Sequence, residues 1–300
     1  MSAQAQPGRI ARMTATSLRG MKESGIPIVM LTAYDFQSAR LVEAAGVDAI
    51  LVGDSLGMTM LGESSTLPVT MDDMLRATRA VTRASNSALV VGDMPFMSYQ
   101  ADLAEGMRNA GRFLADGGAH AVKLEGASER TLALVSALVG AGVPVMGHVG
   151  LTPQSVNVLG GYRTQGKDAA AAAEIIAQAV ALQGAGAFAV VLECVPAELA
   201  RHISQLLAIP TIGIGAGSGC DGQVQVFHDL LGLGEFLPKH AKRYADLGDE
   251  IVRAVSEYAG DVRSRAFPGE PQSSHIDGGS LEEAEFMFAS RSHGDSGGLP

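Results

Sequence analysis

Five apolar runs of strand length each end in an ionisable side chain. Ala49-Ile-Leu-Val-Gly leads to Asp54 and Ser55, Ala88-Leu-Val-Val-Gly to Asp93, and Ala119-His-Ala-Val to Lys123, with Glu125 two residues on. Val143-Pro-Val-Met-Gly leads to His148, and Phe188-Ala-Val-Val-Leu to Glu193. A buried parallel strand reads as a short aliphatic run bounded by turn residues. A charge set where such a run stops is held at a sheet edge on a rigid stem. Asp54, Asp93 and Glu125 are hard oxygen donors with no Cys or His cluster among them, a set that favours Mg2+ over zinc. Three anions gathered in one mouth repel unless cations join them; Lys123 brings one positive charge and a divalent ion two more. Residues two apart on a strand share a face, so Lys123 and Glu125 point together while Val122 and Leu124 point toward the helices. A structural salt-bridge cluster is the competing reading. It is even with the functional one for any single carboxylate and weaker for three on separate strands.

A divalent ion with open positions can chelate a 2-oxo acid through its carboxylate and keto oxygen and stabilise an enolate. Lys123 and the Ser55 hydroxyl are then placed to hold the substrate carboxylate. Glu193 is left over at its own strand end. Flanked by Leu192 and Cys194, it is partly stripped of water, which suits a general base; an ion pair with Arg163 or Lys167 is the bland alternative. His148 reads either as a donor to a substrate oxygen or as a satisfied barrel histidine. Tyr34, after the first strand, either closes the pocket or donates to the substrate. Gly217-Ser-Gly-Cys-Asp-Gly222 matches GxGxxG, but no acid ends a strand at the expected distance, so a dinucleotide site is not expected.

The elements that must position these groups alternate strand and helix about eight times over roughly 240 residues, as a (β/α)8 barrel of about 250 residues does. Strands are expected over residues 28–33, 48–53, 88–92, 119–124, 143–147, 188–193 and 211–215, with a faint eighth at 234–237. Helices are expected over 16–24, 36–45, 71–84, 101–115, 128–139, 169–182, 196–207, 224–231 and 247–258. A doubly wound sheet feeds its ligand from few strands; polar tips on strands two to six favour the barrel. The fold class is α/β: a single TIM-type barrel over residues 16–266, a leader over 1–15, and a tail over 267–300. The tail is expected to be largely disordered, with one candidate helix, Ser280–Ser290, opened by a capping-box pattern.

Composition narrows the class. Apolar residues make up 47% of 300 and there is no Trp, so a large core must be built from Ala, Val, Leu, Ile and Met. A net charge of −10 argues against nucleic acid as a partner. Cys194 and Cys220 form no framework and suit a reducing, cytoplasmic setting, and residues 1–13 carry no secretory apolar stretch. Residues 169–192 could cross a bilayer on length alone. Glu174, Gln178, Gln183 and Gly184-Ala-Gly186 interrupt them, so a helix followed by a strand is expected, and no membrane.

Taken together, Leu-Thr-Ala-Tyr-Asp35, Val-Gly-Asp-Ser-Leu-Gly-Met58, Ser-Thr-Leu-Pro-Val-Thr70, Asp-Met-Pro-Phe-Met97 and Val-Lys-Leu-Glu-Gly126 resemble the ketopantoate hydroxymethyltransferase family. So do Gly-His-Val-Gly-Leu-Thr-Pro-Gln-Ser-Val-Asn157, Leu-Glu-Cys-Val-Pro196, Ile-Gly-Ile-Gly-Ala-Gly217 and Phe-Pro-Gly-Glu270. The resemblance implies a barrel of the phosphoenolpyruvate/pyruvate superfamily. It implies transfer of a hydroxymethyl group from 5,10-methylenetetrahydrofolate to 3-methyl-2-oxobutanoate, the first committed step of pantothenate synthesis. By the same resemblance Asp54, Asp93 and Glu125 are the Mg2+ set, Asp54, Ser55, Asp93 and Lys123 contact the 2-oxo acid, and Glu193 accepts the proton. A cytoplasmic homo-oligomer, a decamer, is also implied. Two alternatives stand beside it: another enolising lyase or mutase of the same superfamily, and a non-catalytic metal-binding scaffold. No aromatic stack or basic clamp for the folate can be singled out.

Overall fold

Eight parallel strands close on one another in chain order: β1 (Ile28–Thr32), β2 (Ala49–Val52), β3 (Leu89–Asp93), β4 (Ala121–Lys123), β5 (Val145–Gly150), β6 (Ala189–Glu193), β7 (Thr211–Ile214) and β8 (Gly222–Gln225), with β8 returning to β1. The computed structural model describes residues 12–234 and 236–292. The helices are α1 (Ala15–Glu23), α2 (Phe36–Ala44), α3 (Leu56–Thr59), α4 (Met71–Ala84), α5 (Leu103–Ala115), α6 (Glu129–Gly140), α7 (Val156–Leu159), α8 (Ala169–Gly184), α9 (Ala197–Leu206), α10 (Phe227–Leu231), α11 (Leu247–Ser264) and α12 (Gly278–Ser292). The chain divides into two compact units between Asp246 and Leu247. This is the (β/α)8 barrel that the alternation predicts.

Local chemistry starts the helices. Thr70 accepts the Asp73 N–H ahead of α4 while Asp73 answers the Thr70 N–H, and Asp72 and Asp73 meet the positive end of the dipole. Asp35 forms the same reciprocal box with Ser38 ahead of α2, and Asp102 and Asp168 each accept one backbone N–H at the start of α5 and α8. The apolar stretch 169–192 resolves into α8, a turn and β6, and among the described residues no helix is long and apolar enough to cross a membrane.

The strands alternate between two cores. Met30, Leu51, Val91, Ala121, Met146, Val191, Ile212 and Val224 point inward and fill the barrel, with Leu18 of α1 packed among them. Ile50, Val52, Val90, Val122, Leu124, Val190 and Leu192 point outward to the helices. The period of two therefore carries Asp93, Lys123, Glu125, His148 and Glu193 onto the inward face at the C-terminal ends of their strands.

Two expectations are corrected. The eighth strand lies at Gly222–Gln225, and no described position of 234–237 is in a strand. The helix expected over 224–231 shortens to α10, because Gly222-Gln-Val-Gln225 alternates buried and exposed side chains and pairs with β1 and β7. Parallel neighbours ordinarily need a crossover of a dozen or more residues. Here residues 215–221 join β7 to β8 without a helix, turning at Gly215 (φ 64) and Gly217 (φ 75). A smaller correction concerns Pro196, which caps α9 and is not its first residue.

Of the leader, residues 1–11 lie outside the described residues; Thr14 caps α1. In the second unit, the Tyr258 and Phe267 rings meet edge to face, their centroids 5.5 Å apart. The segment Ser280–Ser290 falls within α12, but the first-turn hydrogen bond comes from Asp277, whose Oδ1 accepts the Ser280 N–H at 2.9 Å.

Candidate active site

The β3–β4 register sets Asp93 directly beside Lys123. Lys123 Nζ donates to Asp93 Oδ1 at 2.7 Å and lies 3.9 Å from Glu125 Oε1. Asp54 leaves its strand at a tight turn, and its backbone N–H reaches Asp93 Oδ2 at 3.2 Å. All four side chains are buried. The three carboxylates named from the sequence are thus brought around one lysine.

Gln154 ties them further, and sequence reasoning had not singled it out. Its Nε2 donates to Asp54 Oδ2 and to the Met94 carbonyl, each at 2.9 Å, and its backbone N–H donates to Glu125 Oε2 at 3.0 Å. Tyr99 is the second addition: its hydroxyl accepts the Glu125 N–H at 2.9 Å and lies 3.2 Å from Gln154 Oε1. The available signal was position, since Gln154 opens a turn just past a strand tip behind Pro153.

Burial, then the neighbouring Asp93 and Glu125 charges, push the Asp54 carboxyl well above the carboxylate range; Lys123 and the Gln154 amide offset this in part. Burial works against the Lys123 charge, yet Asp93, Glu125 and Asp54 overcome it and hold the ammonium firmly protonated. The cluster is therefore short of positive charge. Among the described residues no three or more His, Cys, Asp or Glu side chains converge on one ion position as they stand. Mg2+ takes only one or two carboxylates directly and keeps several waters, so this hard, electron-rich donor set fits it without a three-carboxylate cage.

Glu193 is not alone at its strand end. His148 stands between two carboxylates, Nδ1 3.4 Å from Glu125 Oε1 and Nε2 3.3 Å from Glu193 Oε2. Neither N–H is aimed well enough to make a sound hydrogen bond, so the attraction is one of charge. Burial and Lys123 oppose protonation, but Glu125 and Glu193 prevail and lift the imidazole to about 9. Among the described residues neither Arg163 nor Lys167 pairs with Glu193. The Glu193 side chain keeps 16% of its surface, more than any of its ionisable neighbours around Lys123.

Tyr34 and Ser55 meet each other, hydroxyl to hydroxyl, at 2.9 Å. Burial raises the Tyr34 phenol to about 12, so it stays a neutral donor. The GxGxxG match falls in the β7–β8 connection, with no helix opening behind it, which leaves no N-terminus to hold a pyrophosphate.

Residues 12–270 match the family model described as ketopantoate hydroxymethyltransferase. The chain belongs to the ketopantoate hydroxymethyltransferase family. It is 57% identical over 263 residues to the 3-methyl-2-oxobutanoate hydroxymethyltransferase of Carboxydothermus hydrogenoformans, covering 87% of this chain and 95% of that protein. It is 56% identical over 263 residues to the enzyme of the same name from Syntrophus aciditrophicus, covering 87% and 96%. A phosphoenolpyruvate phosphomutase from Streptomyces platensis subsp. rosaceus shares the fold, with a TM-score of 0.57 at 16% identity over 93% of this chain and 98% of that one. That likeness is one of fold alone. Among ketopantoate hydroxymethyltransferases this chain therefore carries its five charged strand-end residues, with Asp54, Ser55 and Gln154, at one end of one barrel.

Proposed function

We propose that this chain is a 3-methyl-2-oxobutanoate hydroxymethyltransferase. It converts 3-methyl-2-oxobutanoate, 5,10-methylenetetrahydrofolate and water into 2-dehydropantoate and tetrahydrofolate. The observation that carries the reading is Glu193, part-exposed and turned toward a buried lysine–carboxylate cluster, in a chain of this family. Of Asp54, Asp93 and Glu125, one or two would hold Mg2+ directly and the rest through its waters. An ion held there would supply Lewis acidity to the 2-oxo acid.

The chain's own groups do the rest. Lys123 and the Ser55 hydroxyl hold the substrate carboxylate, with Tyr34 orienting Ser55. Glu193 removes the proton from C3. The freed electron pair forms the new C–C bond to the methylene carbon, whose bonds to the folate nitrogens break, and water supplies the hydroxyl oxygen. His148, standing between Glu125 and Glu193, keeps Glu193 in place and can donate to a substrate oxygen.

Cys194 and Cys220 are both free, which suits a reducing cytoplasm. By family resemblance the chain is a homo-oligomer, a decamer. The test of function is exchange of the C3 proton of 3-methyl-2-oxobutanoate in D2O with Mg2+ and no folate. The wild-type chain should exchange it, and Glu193→Gln should not while still binding the 2-oxo acid. Exchange at the normal rate in Glu193→Gln would assign the base elsewhere.

A further inference from the structure

The folate donor has no assigned place in the site, and the loop between β5 and α8 supplies one. That loop is anchored at two points beside the chemistry. Near its start, Gln154 binds Asp54 and Glu125. Near its end, the Gln165 N–H donates to the Cys194 carbonyl, next to Glu193, at 2.9 Å. Between the anchors the chain turns at Gly160 (φ 70) and Gly161 (φ 112), conformations that side-chain-bearing residues avoid. Tyr162 follows at once. Its hydroxyl reaches across to the Met58 sulfur at 4.0 Å, and Met58 lies on α3, three residues past Ser55.

Tyr162 is 54% exposed and Met58 42%. Asp93, Lys123 and His148 are almost fully buried. Tyr162, close enough to Asp54, Glu193 and Glu125 to feel their charge, and Met58, three residues past Ser55, thus offer a second substrate an exposed surface near the buried cluster. We infer that Tyr162 and Met58 form the face on which the flat heteroaromatic ring of the one-carbon donor stacks, with its methylene carbon directed down toward Glu193. This rests on the transferase reading above. The chemistry fits: an aromatic face and a polarisable thioether both favour a planar π-system, and neither demands a charge from it. Desolvation and the Asp54, Glu193 and Glu125 charges hold the Tyr162 phenol protonated, so the ring stays neutral beside the acidic mouth.

The test uses the full chain with Mg2+ and reads two quantities: the KM for each substrate in the complete reaction, and calorimetric binding of tetrahydrofolate. Tyr162→Ala is expected to raise the donor KM and the tetrahydrofolate Kd at least about fivefold, as loss of one aromatic stack does, while the 2-oxo acid KM moves less than about twofold. Tyr162→Phe should restore both, since the ring and not the hydroxyl is used. Met58→Ala should raise the donor KM by a smaller factor. Val158→Ser, on the same loop and 90% exposed, should change neither. An unchanged tetrahydrofolate Kd in Tyr162→Ala overturns the inference. So does a variant whose 2-oxo acid KM rises as much as its donor KM, which would make Tyr162 a strap over the first substrate. A wild-type chain that neither exchanges the C3 proton nor transfers the one-carbon unit would fail at the transferase reading itself, and the stacking face would fall with it.

Discussion

Replacing Lys123 by Met tests whether the acidic cluster is held together by charge. At 2.7 Å from Asp93 and an effective dielectric of about 20, the attraction is about 332/(20 × 2.7), or about 6 kcal/mol. The Glu125 contact at 3.9 Å adds about 332/(20 × 3.9), or about 4 kcal/mol. Desolvation of the buried ammonium cancels much of this. Methionine fills nearly the same volume and carries no charge, so the variant isolates the cost of leaving buried carboxylates without their cation, about 3–5 kcal/mol. For a chain this long that is a fall in Tm of about 5–8 °C. The assay is urea and thermal unfolding in the presence of a chelator, then with Mg2+ added. Lys123→Met should unfold earlier in chelator. Added Mg2+ should stabilise it more than it stabilises the wild type, because the ion meets one less positive charge and binds the folded form. A variant within about 1 kcal/mol of wild type in chelator would refute the reasoning. It would mean that the carboxylates are neutralised by other means.

Further outcomes follow from the same geometry. Glu43 accepts the N–H groups of Asn86, Ser87 and Ala88 and the Ser85 hydroxyl; although burial opposes it, these hydrogen bonds lower its carboxyl from 4.5 to about 2. The folded value lies below the unfolded one, so the contribution is present above pH 4.5 and disappears as pH falls toward 2. The shift corresponds to about 3 kcal/mol at most and, for a carboxylate this open to solvent, to about 1–2 kcal/mol. Glu43→Gln should lose that amount in urea unfolding at pH 6 and draw level with wild type near pH 2; a pH-independent gap would assign Glu43 another role. Gly150 has φ 96, and a Cβ there would strike the Glu193 carbonyl oxygen and lie 2.7 Å from Val195 Cγ1. Gly150→Ala should therefore cost about 2–4 kcal/mol and, by displacing Glu193, lower the C3 exchange rate about 100-fold; normal exchange would show that the Glu193 backbone can shift without effect. Glu193→Gln should lose exchange outright, as set out above.

The amino-acid order by itself determined the barrel and which charged side chains stand at its strand ends. Period-two aliphatic runs ending in Asp93, Lys123, Glu125, His148 and Glu193 can be read without coordinates, because alternation along a strand is a local property. Cap residues before α2, α4, α5 and α8 mark helix starts for the same reason. The eighth strand was misplaced because Gly222-Gln-Val-Gln225 has too little apolar content to stand out locally, and only pairing with β1 makes it a strand. What the tertiary structure decided is which groups face each other. Strand register put Asp93 beside Lys123, pairing of β5 with β4 and β6 set His148 between Glu125 and Glu193, and a returning loop brought Gln154 onto Asp54 and Tyr162 onto Met58. Gln154 lies 100 positions from Asp54 and Tyr162 lies 104 from Met58. No local pattern encodes such a meeting, because it depends on how many strands close the barrel and how far each is offset from the next.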